Sequence, residues 1–150
     1  MKKFILLLLV LLAIVATGCS CNDKKKLTET YVCTEWLVSR GTTGLNILQD
    51  DKGNDVYSYY QLLFYNDGSF KLVFEVAETK NEEIYNGTYV DNNGTRYLTY
   101  DNKPDELQNL YGATPYKIEG NYLVRNQHQF SGTSDNPTDT IISQKFIKTK

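Results

Sequence analysis

The stretch "YYQLLFYNDGSFKLVFEV", Tyr59 to Val76, decides the fold. Two runs rich in Tyr, Phe, Leu and Val flank Asn66, Asp67 and Gly68. That trio suits a three-residue hairpin loop, a type I turn followed by a Gly in the left-handed region. In this register Phe64 faces Phe70, Leu62 faces Leu72 and Tyr60 faces Phe74, so all six share one side of the ribbon. A two-residue loop at Asp67-Gly68 would pair Phe64 with Lys71 instead. A slip of one residue exchanges the faces of a strand, so the register that keeps the apolar set together is expected. The core side is then Tyr60, Leu62, Phe64, Phe70, Leu72, Phe74 and Val76.

The same punctuation continues on both sides. Short runs of Tyr, Phe, Val, Ile and Thr are separated by "DKGND", "NDGS", "DNNG" and "EGN", and helical periodicity is nearly absent. The twelve Tyr of the chain fit strands better than helices. "IYNGTYVDNNGTRYLTY" (84–100) and "YKIEGNYLVR" (116–125) read as two more hairpins, the second pairing Ile118 with Leu123 across Gly120-Asn121. "TIISQKFIKT" (140–149) supplies Ile141, Ile142, Phe146 and Ile147 as a closing strand. "DNKPDELQNLYG" (101–112) has the cap, Pro, early carboxylates and final Gly of a single helical turn. "NQHQFSGTSDNPTD" (126–139) is polar enough to be expected as a mobile surface loop. Eight or nine short strands with up-and-down connections in about 120 residues leave too many edges for an open sheet. The expectation is all-β, with about eight strands closed into a small antiparallel barrel that removes those edges.

The order of the motifs points the same way. Trp36 in "TEWLV" is followed by Phe64, Asp67, Gly68 and Phe70 in "FYNDGSF", then Gly87 and Tyr89 in "GTY". Gly120, Asn121 and Leu123 in "GNYL" come next, and "KFIKTK" ends the chain. Over nearly all of residues 31 to 148 this resembles the lipocalin-like β-barrel domains of bacterial lipoproteins. Thr34 stands where lipocalins carry a Gly two residues before the first-strand Trp. The resemblance therefore implies the barrel architecture rather than membership of the ligand-carrying family.

The N-terminus gives an address. Lys2 and Lys3 precede an apolar run from Phe4 to Val15, and Ala16, Thr17 and Gly18 lead into Cys19, the pattern of an export signal. The run is short for a spanning helix, which needs about 20 apolar residues. "ATGC" resembles the lipobox of bacterial lipoproteins, with Ala16 where Leu is most usual. That resemblance implies cleavage before Cys19, acylation of Cys19, and a domain tethered to a membrane of the bacterial cell envelope, facing outside the cytoplasm. Two or three acyl chains hold such a domain firmly, at roughly 0.8 kcal/mol per buried CH₂. Residues 1–18 are thus expected as signal peptide and 19–30 as the lipidated cysteine with a flexible spacer, leaving 31–150 as the barrel domain. Lys24 to Lys26 in the spacer are expected to be solvated. Ser20 would permit outer-membrane sorting in a two-membrane cell.

Two cysteines remain. In an exported protein Cys21 and Cys33 can form a disulfide closing a loop of about a dozen residues, worth about 3 kcal/mol in the loop-entropy model. The alternative is a free Cys21 with Cys33 packed as a small hydrophobe.

Chemistry is harder to find. Without Lys2 and Lys3 the chain has fourteen basic against eighteen acidic residues, and no basic patch argues for nucleic acid. His128 has no second His and no Cys pair beside it, so neither a metal nor any other cofactor is expected. Ser131 and Asp135 near His128 do not make a triad by proximity in sequence. "DDKGND" (50–55) has Lys52 where a calcium loop needs an acceptor. Glu82 and Glu83 are adjacent on a strand and point to opposite faces. A non-enzymatic binding protein is expected, with Trp36, Tyr60, Leu62, Phe64, Phe70, Leu72, Phe74, Tyr89 and Tyr116 lining a barrel that holds a small apolar ligand. The alternative is a structural or inhibitory surface module with a filled core. It would meet a protein or glycan of the envelope through Tyr57, Tyr59 and Tyr65, expected on the outer face of their strand.

Overall fold

The structure is a computed structural model and describes residues 24–41, 43–102, 113–133 and 136–150. Its strands are β1 (Leu27–Arg40), β2 (Thr43–Asn46), β3 (Tyr57–Tyr65), β4 (Ser69–Val76), β5 (Glu82–Asn92), β6 (Thr95–Tyr100), β7 (Thr114–Glu119), β8 (Tyr122–Thr133) and β9 (Asn136–Lys148). From β3 onward each strand pairs antiparallel with the next, β1 pairs with β3, and β9 returns to β1. The result is a closed eight-stranded antiparallel β-barrel. β2 is one extra strand outside the ring, paired with Leu37 to Arg40 of β1. No helix occurs among the described residues.

The deciding hairpin has the expected register, with Phe64 opposite Phe70, Leu62 opposite Leu72 and Tyr60 opposite Phe74. Gly68 sits at φ 78°, where a side chain would be strained and Gly is not. The β5–β6 turn uses Asn93 and Gly94, both at positive φ, whose twist matches that of the flanking strands. Ile118 faces Leu123 as expected.

Period-two alternation carries one face of the ring strands inward. Leu62, Phe64, Phe70, Leu72, Leu98, Leu123 and Phe146 are each 1% exposed or less. Each such side chain contributes about 1.5–3 kcal/mol by leaving water. Gly87 lies between Phe70 and Tyr100 in one cross-strand row, and with no side chain there the two rings meet edge to face at 5.0 Å.

Several expectations need correction. The polar stretch 126–139 is not a loop: Asn126 pairs with Ser143, and the β8–β9 ladder continues to Thr133 opposite Asn136. Backbone hydrogen bonds are indifferent to side-chain polarity, so a polar run is no bar to a paired strand. The domain starts earlier than residue 31. β1 begins at Leu27, within the expected spacer, and the Thr28 hydroxyl donates to the Phe64 carbonyl at 3.0 Å. Tyr57 does not share the outer face with Tyr59 and Tyr65. A register shift between Tyr57 and Tyr59 turns Tyr57 inward against Trp36, Tyr60 and Phe74. Of the possible disulfide, Cys33 is buried in the core and is free among the described residues. The other half of that expectation, Cys21, lies outside the described residues, as do Cys19, the expected signal peptide and residues 103–112 of the expected helical turn.

Candidate functional site

The barrel interior has two halves of different chemistry. Towards the tight β3–β4, β5–β6 and β7–β8 turns it is apolar and packed, and an ion-pair cluster closes its end. The Arg96 guanidinium lies 4.3 Å from the centroid of Phe64 and 4.7 Å from that of Tyr89. It donates to both carboxylate oxygens of Asp91 at 2.7 Å and to Glu29 at 2.5 Å. Lys148 donates to the other oxygen of Glu29 at 2.5 Å. Burial works against the charged form of Glu29, but the hydrogen bonds from Lys148 and Arg96 outweigh it and hold its pKa below the ordinary value.

Towards the longer connections the inward face becomes polar. β7 contributes Thr114 and Tyr116, β8 contributes Arg125, and β9 contributes Thr140 and Gln144, all buried. Arg125 stands opposite Gln144 on β9, and Gln144 stands opposite Trp36 on β1, so the three form one cross-strand row. Gln144 Oε1 accepts from the Tyr116 hydroxyl at 2.9 Å and from Arg125 Nη1 at 3.4 Å. Arg125 Nε and Nη2 both donate to Gln127 Oε1. Burial pushes the phenols of Tyr60 and Tyr100 well above their ordinary pKa, raises that of Tyr116, and pushes the Cys33 thiol up to about 12. These groups are neutral donors at physiological pH, so none supplies negative charge.

The nominated lining residues come together. Tyr60, Leu62, Phe64, Phe70, Leu72, Phe74 and Tyr116 belong to one buried cluster, with Trp36 and Tyr89 packed against it. The Tyr60 and Phe74 rings stack at 5.2 Å, and Phe64 meets Tyr89 edge to face at 4.9 Å. Trp36 stacks on Tyr57, and its buried indole Nε1 has no hydrogen-bond partner among the described residues. Arg125, Gln144 and Tyr100 were not nominated. Extending the period-two count from Leu123 inward would have found Arg125, and extending it from Phe146 would have found Gln144.

Elsewhere the side chains satisfy one another. Asp50 accepts from the backbone N–H of Lys52 and of Asn54 and from the Asn54 side chain, an arrangement that shapes its own loop. A surface cleft of about 570 Å³ beside it is lined by Lys52, Val56, Val76 and Ala77 among others. Glu82 accepts from Tyr59 and Glu83 from Tyr85, so the two acids serve different partners. His128 is exposed, with Nδ1 3.6 Å from Asp139. The Ser131 side chain and Asp135 lie outside the described residues. Among the described residues no group of three His, Cys, Asp or Glu is placed to hold a metal. In comparisons with known proteins, no family model, curated protein or solved structure matches this chain.

Proposed function

We propose that this protein is a lipid-anchored binding protein of the bacterial cell envelope, non-enzymatic, holding a small molecule in the half of its barrel that contains Tyr60, Tyr116 and Arg125. The observation that carries the reading is the buried polar set inside that half. A barrel built only for structure is most stable with apolar side chains inside, since a buried polar or charged group costs free energy unless fully satisfied. The anchor is Cys19, as the resemblance of "ATGC" to a lipobox implies.

The tight packing of Phe64, Phe70, Leu72 and Leu98 supports the second reading, a filled barrel acting through its outer surface on an envelope protein or glycan. Native mass spectrometry of the chain purified from its own host separates the two. A stoichiometric small-molecule adduct is expected, and a clean ligand-free mass would favour the surface module. In the same host Cys19→Ala should move the protein from the membrane fraction to the soluble fraction. Unchanged membrane association would remove the lipid anchor from the proposal.

A further inference from the structure

Arg96 and Arg125 are the two buried charged residues among those described, at 6% and 3% exposure. Their surroundings differ in kind. Arg96 has two carboxylates against its guanidinium, and the site is electrically closed. Among the described residues Arg125 has no carboxylate within ion-pair distance, and its partners are the neutral side chains of Gln127 and Gln144 with the Tyr116 hydroxyl beside them. Two amide oxygens, one of them shared with Tyr116, and the Tyr116 hydroxyl oxygen face five guanidinium N–H groups, and none of these acceptors is charged. The next strand in the same row adds the Nε1–H of Trp36, a buried donor with no partner among the described residues. Among the described residues the row therefore carries one positive charge with no carboxylate against it and one buried donor, Trp36 Nε1–H, without an acceptor.

We infer that the ligand of the barrel carries a single carboxylate, received by Arg125 in the row that Arg125 forms with Gln144 and Trp36. The inference rests on the reading that the barrel holds a small molecule, and names its class. A carboxylate presents two coplanar oxygens that match the guanidinium fork, and its unit charge balances the one cation. A doubly charged phosphate would leave excess negative charge in a buried site. The rest of the molecule meets Trp36, Tyr57, Tyr60 and Phe74, whose rings suit an apolar or aromatic body. The ligand class is thus a small amphipathic monocarboxylic acid.

The test uses the full chain and two probes of the same shape, 3-phenylpropionate and 3-phenylpropanol. Trp36, the single Trp of the sequence, reports both by its fluorescence. The acid should bind at least about 10-fold more tightly than the alcohol, and Arg125→Met should remove that preference, the two probes then binding with similar affinity. Ligand-free Arg125→Met should also melt at a higher temperature than the parent, because an uncompensated buried charge has gone. If the Met variant fails to fold, Arg125→Gln, whose amide can still reach Gln127 and Gln144, takes its place. Equal affinity for the two probes, or acid binding that survives loss of the arginine, would overturn the carboxylate inference and leave the binding reading standing. No response to either probe in the parent protein would overturn both.

Discussion

Arg96 and Arg125 show what a buried charge does in each half of the barrel. Arg96 is tied to Asp91 and Glu29 and lies over two rings, so it holds the ends of β1, β5, β6 and β9 together through side chains as well as backbone. Glu29 is the hinge of that cluster, because each of its oxygens serves a different cation. Its pKa is depressed on folding, so its contribution to stability is complete above the unfolded value near 4.5 and is lost as pH falls through the lower folded value. Urea midpoints measured between about pH 6 and pH 2 should fall below about pH 4.5 more steeply in the parent than in Glu29→Gln. The variant should be less stable near neutral pH, and the two curves should converge in acid. Parallel curves across the whole range would show that Glu29 does not carry this dependence.

Individual strands depend on a few positions that no average property reveals. Gly87 is one: a Cβ added there would lie 2.2 Å from the Thr99 carbonyl oxygen and 2.5 Å from the Phe70 ring. The carbonyl belongs to the neighbouring strand's backbone and cannot rotate away, so β5 and β6 would have to separate. Gly87→Ala should therefore lower stability by roughly 1–3 kcal/mol or more, read as a shift in the urea midpoint. A change within about 0.5 kcal/mol, as for an ordinary surface position, would contradict the packing described. The sequence showed Gly87 as part of "GTY" but could not show what presses on it, since that contact joins three strands. The same limit separates what was legible from what was not. The β3–β4 register followed from local alternation and one turn, whereas the inward rotation of Tyr57 depends on a bulge that alternation alone does not announce. The aromatic lining was legible because aromatic residues stand out, while Arg125 and Gln144 were passed over because polar residues are usually outside. The 126–139 ribbon was not legible because its polarity suggests a loop, while the backbone pairing that makes it a strand does not depend on side-chain polarity.

For the molecule as a whole, closure is the feature on which the rest depends. β1 and β9 pair from Tyr31 opposite Lys148 to Arg40 opposite Thr140, and the Thr149 N–H adds a bond to the Thr30 carbonyl at 2.8 Å. The two strands that meet come from opposite ends of the described chain, so the loop they close is nearly the whole domain and little local structure can substitute for it. Removing residues 144–150 would open the edges of β1 and β8, take Phe146 out of the core and strip Glu29 of Lys148. Such a chain should lose its cooperative melting transition and associate on size-exclusion chromatography, because unpaired edges recruit one another. β2 provides the contrast. All four of its residues are exposed and it lies outside the ring. Replacing Thr43–Asn46 with a Gly/Ser linker should leave a monomer with a cooperative melt and cost about 1 kcal/mol or less. A truncated chain that still melted cooperatively as a monomer would mean that the β1–β9 seam is dispensable, and the donor row that crosses it could then not be held in place by closure.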